Sequence, residues 1–152
     1  MVDLKAWKAL LELSTQEVFE MMLACRIRPL DDSPAPKSTD FTAMVGLAGK
    51  LCGVLSVRCS HRAALLVTAK MLATPPEEVA DGCWDALGEL ANMVAGNFKA
   101  KLSGVGNHCL LSVPTVITGA DYETRSLTNG EVIEAVIDFE ALPMWITLQL
   151  HK

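Results

Sequence analysis

Four residues between Trp84 and Phe98 have the types and the spacing to form a chemical site. Asp85, Glu89, Asn92 and Gly96 follow one another at intervals of four, three and four positions. An α-helix turns by about 100° per residue, so it places all four on one narrow face. The carboxylates can pair with a cation, and the amide can both donate a hydrogen bond to water and accept one.

The residues of this face lower the stability of the helix, which is unexpected for a face that contacts only solvent. Gly88 and Gly96 each destabilise a helix interior by about 1 kcal/mol relative to alanine. Asn92 is also a weak helix former, because its amide competes for backbone hydrogen bonds. A merely solvated helix face is the alternative interpretation, but the glycines and Asn92 weaken it. The pattern favours a surface that a second macromolecule approaches closely, with Lys99 beside it as a solvated side chain or a weak attraction for an acidic partner.

The composition predicts a packed globular domain. The chain has 152 residues, of which 51% are hydrophobic and 20% charged, so we expect one domain over residues 1–152. A net charge of −5 argues against nucleic-acid and anionic-membrane binding, which need basic patches. The N-terminal segment does not resemble a signal peptide, and the apolar runs are shorter than a membrane helix needs. We therefore expect a cytoplasmic protein with no membrane segment.

The sequence predicts no metal site. The five cysteines form no CxxC pair, and apolar neighbours indicate that they are small buried hydrophobic residues. An isolated pair of carboxylates, Asp85 and Glu89, is a weak ligand set for a divalent cation.

The elements that position the candidate face alternate between helical and strand patterns. Ser14 and Thr15 predict a cap for a second piece within the first helix, and Ser60 predicts a cap for another helix. Thr74 followed by prolines and acids predicts the start of a long helix, with a break near Gly82. The predicted segments are a helix over 3–25, a loop over 28–40, a hairpin of 41–47 and 51–58, helices over 61–72 and 74–102, and strands over 108–114, 115–119, 131–140 and 144–151.

This order predicts an α+β fold in which helices cover an antiparallel sheet. Turns are expected at 129–130 and 141–143. The apolar strand 144–151 ends the chain, which favours a place at the edge of the sheet. Because an unpaired edge invites another strand, we expect a homodimer.

The spacing D-x3-E-x2-N-x3-G resembles the signature of the CheC/CheX/FliY phosphatases of bacterial chemotaxis. That family also has a proline roughly twenty residues after the Asn, and Pro114 lies 22 positions after Asn92. The order of elements agrees as well. Relatives of the CheC type carry the motif on two helices, whereas Glu17 here is followed three positions later by Glu20 rather than Asn. The chain is therefore most similar to the CheX type, which has one motif per subunit and forms homodimers.

The resemblance implies hydrolysis of the aspartyl phosphate on a phosphorylated CheY-type response regulator. It implies that Asn92 orients the attacking water and that Glu89 docks a lysine of the partner. Gly96 would let the partner approach the helix backbone, whereas Asp85 would either contact the partner or only solvate the face. The chain itself would bind no cofactor, and Mg²⁺ would arrive with the response regulator. A non-catalytic receiver-binding module and a dimerisation scaffold remain the alternatives.

Overall fold

Helices lie on one face of an antiparallel sheet, as the α+β prediction requires. The computed structural model describes residues 2–31, 39–79, 82–119 and 121–151. Within these residues the helices are α1 (Leu4–Leu23), α2 (His61–Leu72) and α3 (Cys83–Ala100). The strands are β1 (Arg28–Pro29), β2 (Phe41–Gly49), β3 (Gly53–Cys59), β4 (Cys109–Leu111), β5 (Thr115–Thr118), β6 (Val132–Phe139) and β7 (Leu142–Leu150).

The described strands form a seven-stranded sheet in the order β1-β6-β7-β3-β2-β4, and β5 also pairs with β2. Side chains of β3 alternate between buried and half-buried, because successive residues of a strand point to opposite faces. The buried face packs against the helices in a hydrophobic core that includes Leu55, Val57, Leu90 and Phe98. None of the helices among the described residues combines the length and apolar character needed to cross a membrane.

Strand β7 lies in the middle of the sheet, so the predicted edge position is wrong. It pairs with β3 on one side and with β6 on the other. Met144, Ile146 and Leu148 are fully buried, which explains why the strand is so apolar. The basis for the homodimer prediction in this strand is therefore removed.

Helix α1 runs without interruption, so the predicted cap inside it is wrong. The Ser14 and Thr15 hydroxyls donate to the carbonyls of Leu10 and Leu11, four residues earlier, at 2.7 and 2.8 Å. Buried hydroxyls can be satisfied in this way within a continuous helix. The observed cap is Asp3, whose carboxylate accepts from the first-turn backbone N–H groups.

Helix α3 begins at Cys83, later than the predicted start at Thr74. The segment Pro76–Glu78 forms only one 3₁₀ turn, and residues 80–81 fall outside the described part of the chain. Gly82 has a φ of 138°, which a helix cannot contain, so the predicted break near this glycine is confirmed.

The hairpin of β2 and β3 and the Ser60 cap of α2 are confirmed. The hairpin of β6 and β7 turns at Glu140 and Ala141, which have φ values of 49° and 67°. Leu142 and Pro143 already belong to β7, so the turn lies earlier than predicted. The predicted loop over 28–40 is wrong at its start, because Arg28–Pro29 form β1, and residues 32–38 fall outside the described part of the chain.

Candidate active site on helix α3

The core face of α3 holds the helix against the rest of the fold. Its apolar residues are fully buried, as the helical spacing predicts, and the ring of Phe98 meets Trp7 edge to face at 5.8 Å. The helix packs against α1, α2 and β2. The opposite face is thereby presented by a rigid element. The buried residues of the core face are Leu87, Leu90, Ala91, Val94 and Phe98.

The four predicted site residues share the outer side of this single helix. Asp85 and Glu89 are exposed, whereas Asn92 and Gly96 are half-buried. Neither carboxylate forms an ion pair with any described residue, and the Asn92 amide makes no hydrogen bond to the described part of the chain. The polar groups of this face are therefore free to contact another molecule.

Pro114 lies against the first half of α3. A Cβ atom built on Gly88 would lie 3.4 Å from the Pro114 Cβ, so this buried glycine is covered by the proline. A shallow cleft of about 520 Å³ runs between the helix and the segment that contains Pro114. Its lining residues are Trp84, Asp85, Gly88, Glu89, Val113, Pro114 and Val116.

Gly96 has a different environment from Gly88. A Cβ atom at Gly96 would have only the Leu111 Cδ1 atom nearby, at 3.9 Å. An alanine would therefore fit within the chain itself. The bare backbone at this position is not required by internal packing.

Lys99 is half-buried and bound within the chain rather than fully solvated. Its Nζ atom donates a hydrogen bond to the Cys109 carbonyl at 2.6 Å, which ties the end of α3 to β4. The helical spacing predicts Lys99 on the same side of α3 as the candidate face, and its hydrogen-bond acceptor lies ten positions later, at the start of β4.

Sequence reasoning missed a polar contact between α1 and α3. The Asn97 Nδ2 atom donates to Glu17 Oε2 at 2.8 Å, and the Lys101 Nζ atom lies 2.8 Å from the same oxygen. The hydrogen bond from Lys101, followed by that from Asn97, lowers the pKa of Glu17 below its ordinary value of 4.5. No local spacing signals this contact, because it joins residues about eighty positions apart.

The described residues contain no group of three or more His, Cys, Asp and Glu side chains arranged to hold a metal ion. Cys59, Cys83 and Cys109 are buried, as expected, and burial raises the pKa of the Cys59 thiol to about 12. The prediction is wrong for Cys25, which is half-buried, and for Cys52, which is exposed. Cys52 lies just before β3, where the hairpin turn reaches solvent.

The fold is similar to that of CheC-like proteins. A CheC-like superfamily protein from Shewanella sp. PV-4 superposes with a TM-score of 0.81 and 22% sequence identity, and the match covers 100% of both chains. The sequence model described as "Chemotaxis phosphatase CheX" matches residues 41–140, so the chain belongs to the CheX family.

Two further proteins are similar. The CheY-P phosphatase CheX of Thermotoga maritima is 33% identical over 84 residues, which are 55% of this chain and 54% of that protein. The matched segment thus spans about half the length of this relative. The CheX of a CheX–CheY–BeF₃–Mg²⁺ complex from Borrelia burgdorferi superposes with a TM-score of 0.74 and 19% identity, covering 95% of this chain and 97% of that one.

Proposed function

We propose that this protein is a phosphatase that hydrolyses the aspartyl phosphate of a phosphorylated CheY-like response regulator. The observation that carries the proposal is the free pair of Glu89 and Asn92, one turn apart on an accessible helix face in a chain of the CheX family. The names of the Thermotoga and Borrelia relatives support the same substrate class.

In this proposal Asn92 holds the attacking water. The water oxygen attacks phosphorus, and the bond from phosphorus to the partner's aspartyl oxygen breaks, which releases inorganic phosphate and the free carboxylate. A neutral amide can hydrogen-bond to that water without repelling the phosphoryl group. Fixing the water in line is the main contribution required, because an acyl phosphate is already reactive.

Glu89 has a separate role as a docking group. An exposed carboxylate next to a phosphoryl group would be repelled, so it is a poor candidate for a base near the phosphorus. It is well suited to pair with a lysine of the receiver domain, since no described residue of this chain neutralises it. Asp85 lies one turn earlier on the same exposed face and extends the negative surface towards the partner.

Gly96 completes the proposed contact surface. The space above its backbone is open apart from Leu111, so a partner loop can approach the helix closely there. Mg²⁺ bound by the response regulator would neutralise charge on the phosphoryl group during the reaction. This chain's own contribution is limited to Glu89 and Asn92 and to the surface around them.

A phosphate-release assay tests the proposal directly. Receiver domains from the same organism are phosphorylated with a small-molecule donor, and the loss of aspartyl phosphate is followed with and without the protein. We expect accelerated release from at least one receiver domain. Binding of a beryllofluoride-activated receiver without accelerated release would favour the non-catalytic docking module, and neither binding nor release would exclude both.

We further propose that the protein is a cytoplasmic homodimer, as the CheX resemblance implies. The edges of the described sheet are β1 on one side and the β4–β5 segment on the other, and unpaired strand edges favour association. Light scattering at micromolar concentration should give twice the monomer mass of 16.4 kDa. A monomer mass would contradict this part of the proposal and leave the phosphatase activity open.

A further inference from the structure

The pairing of β2 with β4 and β5, next to the candidate active site, is interrupted by a β-bulge. On β2, Leu47 pairs with Leu111 and Met44 pairs with Thr115. Two residues of β2, 45 and 46, therefore face three residues of the neighbouring segment, 112–114. An extra residue of this kind bends a strand and changes the direction of its side chains.

Ser112 closes the bulge with its side chain. Its backbone N–H donates to the Gly46 carbonyl at 2.9 Å, and its Oγ atom accepts from the Gly46 N–H at 2.8 Å. The same hydroxyl donates to the Val113 carbonyl at 3.1 Å. The serine thus supplies an acceptor that a regular strand would supply from its backbone, which leaves Val113 and Pro114 free to turn towards α3.

The bulge brings two apolar residues to the cleft beside Glu89. Pro114 covers Gly88, and Val113 lines the cleft although 85% of its surface is exposed. Trp84, which is 48% exposed, lines the same cleft from the start of α3. Apolar side chains around unpaired carboxylates suit a partner group with an aliphatic stem and a cationic tip, such as lysine or arginine.

We propose that Val113 is a docking contact for a cationic segment of the receiver domain and that Ser112 is the positioning residue that holds it there. This inference rests on the proposed function and adds to it the residues that determine affinity. Val113 lines the same cleft as the docking carboxylate Glu89 and is not part of the water-orienting group, so it should affect KM rather than kcat.

The test compares lysine substitutions at two exposed residues, Val113 in the bulge and Leu110 in β4. Val113→Lys should raise the KM for the phosphorylated receiver about tenfold with kcat nearly unchanged. The new lysine would repel the cationic segment of the partner and form an ion pair with Glu89 in its place. Leu110→Lys is the matched control. Leu110 is 76% exposed, and it points to the opposite face of the sheet from its strand neighbours Cys109 and Leu111. The KM of the Leu110→Lys variant should therefore equal that of the wild type.

Ser112 is tested by removal and rescue. Ser112→Ala should raise KM several-fold, and Ser112→Thr should restore it because the hydroxyl acceptor returns. A lower melting temperature without a change in KM would show that Ser112 is only structural and would overturn its positioning role. Melting curves of each variant keep misfolding separate from weak docking.

The outcomes separate this inference from the proposed function. If the wild type releases phosphate but Val113→Lys has an unchanged KM, the docking contact is wrong and the phosphatase stands. If the wild type binds a beryllofluoride-activated receiver without hydrolysing phosphate, the phosphatase is wrong and the Kd values of the same variants decide the inference. If no receiver is bound, both are wrong.

Discussion

Helices α1 and α3 both carry a glutamate followed three residues later by another polar residue, yet the two glutamates have different environments. Glu17 of α1 is held by Asn97 of α3 and by Lys101, which directly follows that helix. Glu89 of α3 has no ion-pair partner among the described residues. The comparison teaches that the residue type alone does not define a site. What matters is whether the fold already neutralises the charge.

The difference also explains why only one of the two helices is a candidate for partner binding. A carboxylate that already accepts two hydrogen bonds gains little from a new cation, because it must first give up its existing contacts. Glu89 has no ion pair with a described residue to give up when a partner binds. Glu20 follows Glu17 at the spacing at which Asn92 follows Glu89, but it is an acid, and its one ion-pair partner among the described residues is the exposed Arg26, at 4.0 Å.

The largest expected effect comes from the amide of α3. Asn92→Ala should slow phosphate release on the order of 10²-fold or more with little change in receiver binding, because the amide acts mainly in the transition state. The measurement is single-turnover dephosphorylation together with a binding titration. Asn97→Ala removes the same side chain from the same helix at a structural position and should leave the rate nearly unchanged. An Asn92→Ala rate equal to that of the wild type would refute the water-orienting role.

The two glutamates should separate in binding experiments. Glu89→Gln should weaken binding of the activated receiver about tenfold and reduce the dependence of binding on salt, since it removes one charge that pairs with the partner. Glu17→Gln should leave receiver binding unchanged. Titration calorimetry at two ionic strengths measures both, and equal losses for the two variants would show that the comparison between the helices is wrong.

Gly96→Ala should have opposite effects on stability and on binding. The alanine fits beside Leu111 and should raise the free energy of unfolding by about 1 kcal/mol, because it favours the helix. The same methyl group should weaken receiver binding several-fold if the partner approaches the backbone there. Urea unfolding and a binding titration give the two values. A stabilised variant with unchanged affinity would remove Gly96 from the contact surface.

The smallest expected effect is the pH dependence of the Glu17 contact. The pKa of this carboxyl is lowered in the folded state below its ordinary value of 4.5. Its contribution to stability is therefore fully present at a pH above 4.5 and is lost as the pH falls through the folded pKa. The difference in urea midpoint between wild type and Glu17→Gln should therefore be larger at pH 7 than at pH 3. In a Lys101→Met background this pH-dependent difference should shrink, because the largest cause of the shift is absent.

Local patterns predicted the parts of the molecule that depend on neighbours in the sequence. The face with Asp85, Glu89 and Asn92 follows from helical spacing alone, and so does the buried face with Leu90 and Phe98. The Ser60 cap and the break near Gly82 are likewise local signals.

Features that depend on distant residues were not predictable. The contact of Glu17 with Asn97 and the bulge closed by Ser112 each need the tertiary fold. The apolar character of β7 correctly indicated a strand but did not reveal its neighbours. It therefore suggested an edge where the sheet has its centre.

The central place of β7 has a consequence for how the domain is made. Arg58 of β3 pairs with Trp145 of β7, so the middle of the sheet joins an early part of the domain to its last strand. A ribosome adds roughly 5–20 residues per second, which leaves β3 without this neighbour for on the order of ten seconds. During synthesis β3 presents an open edge to the cell, and a chaperone that shields this edge would protect the nascent chain from aggregation.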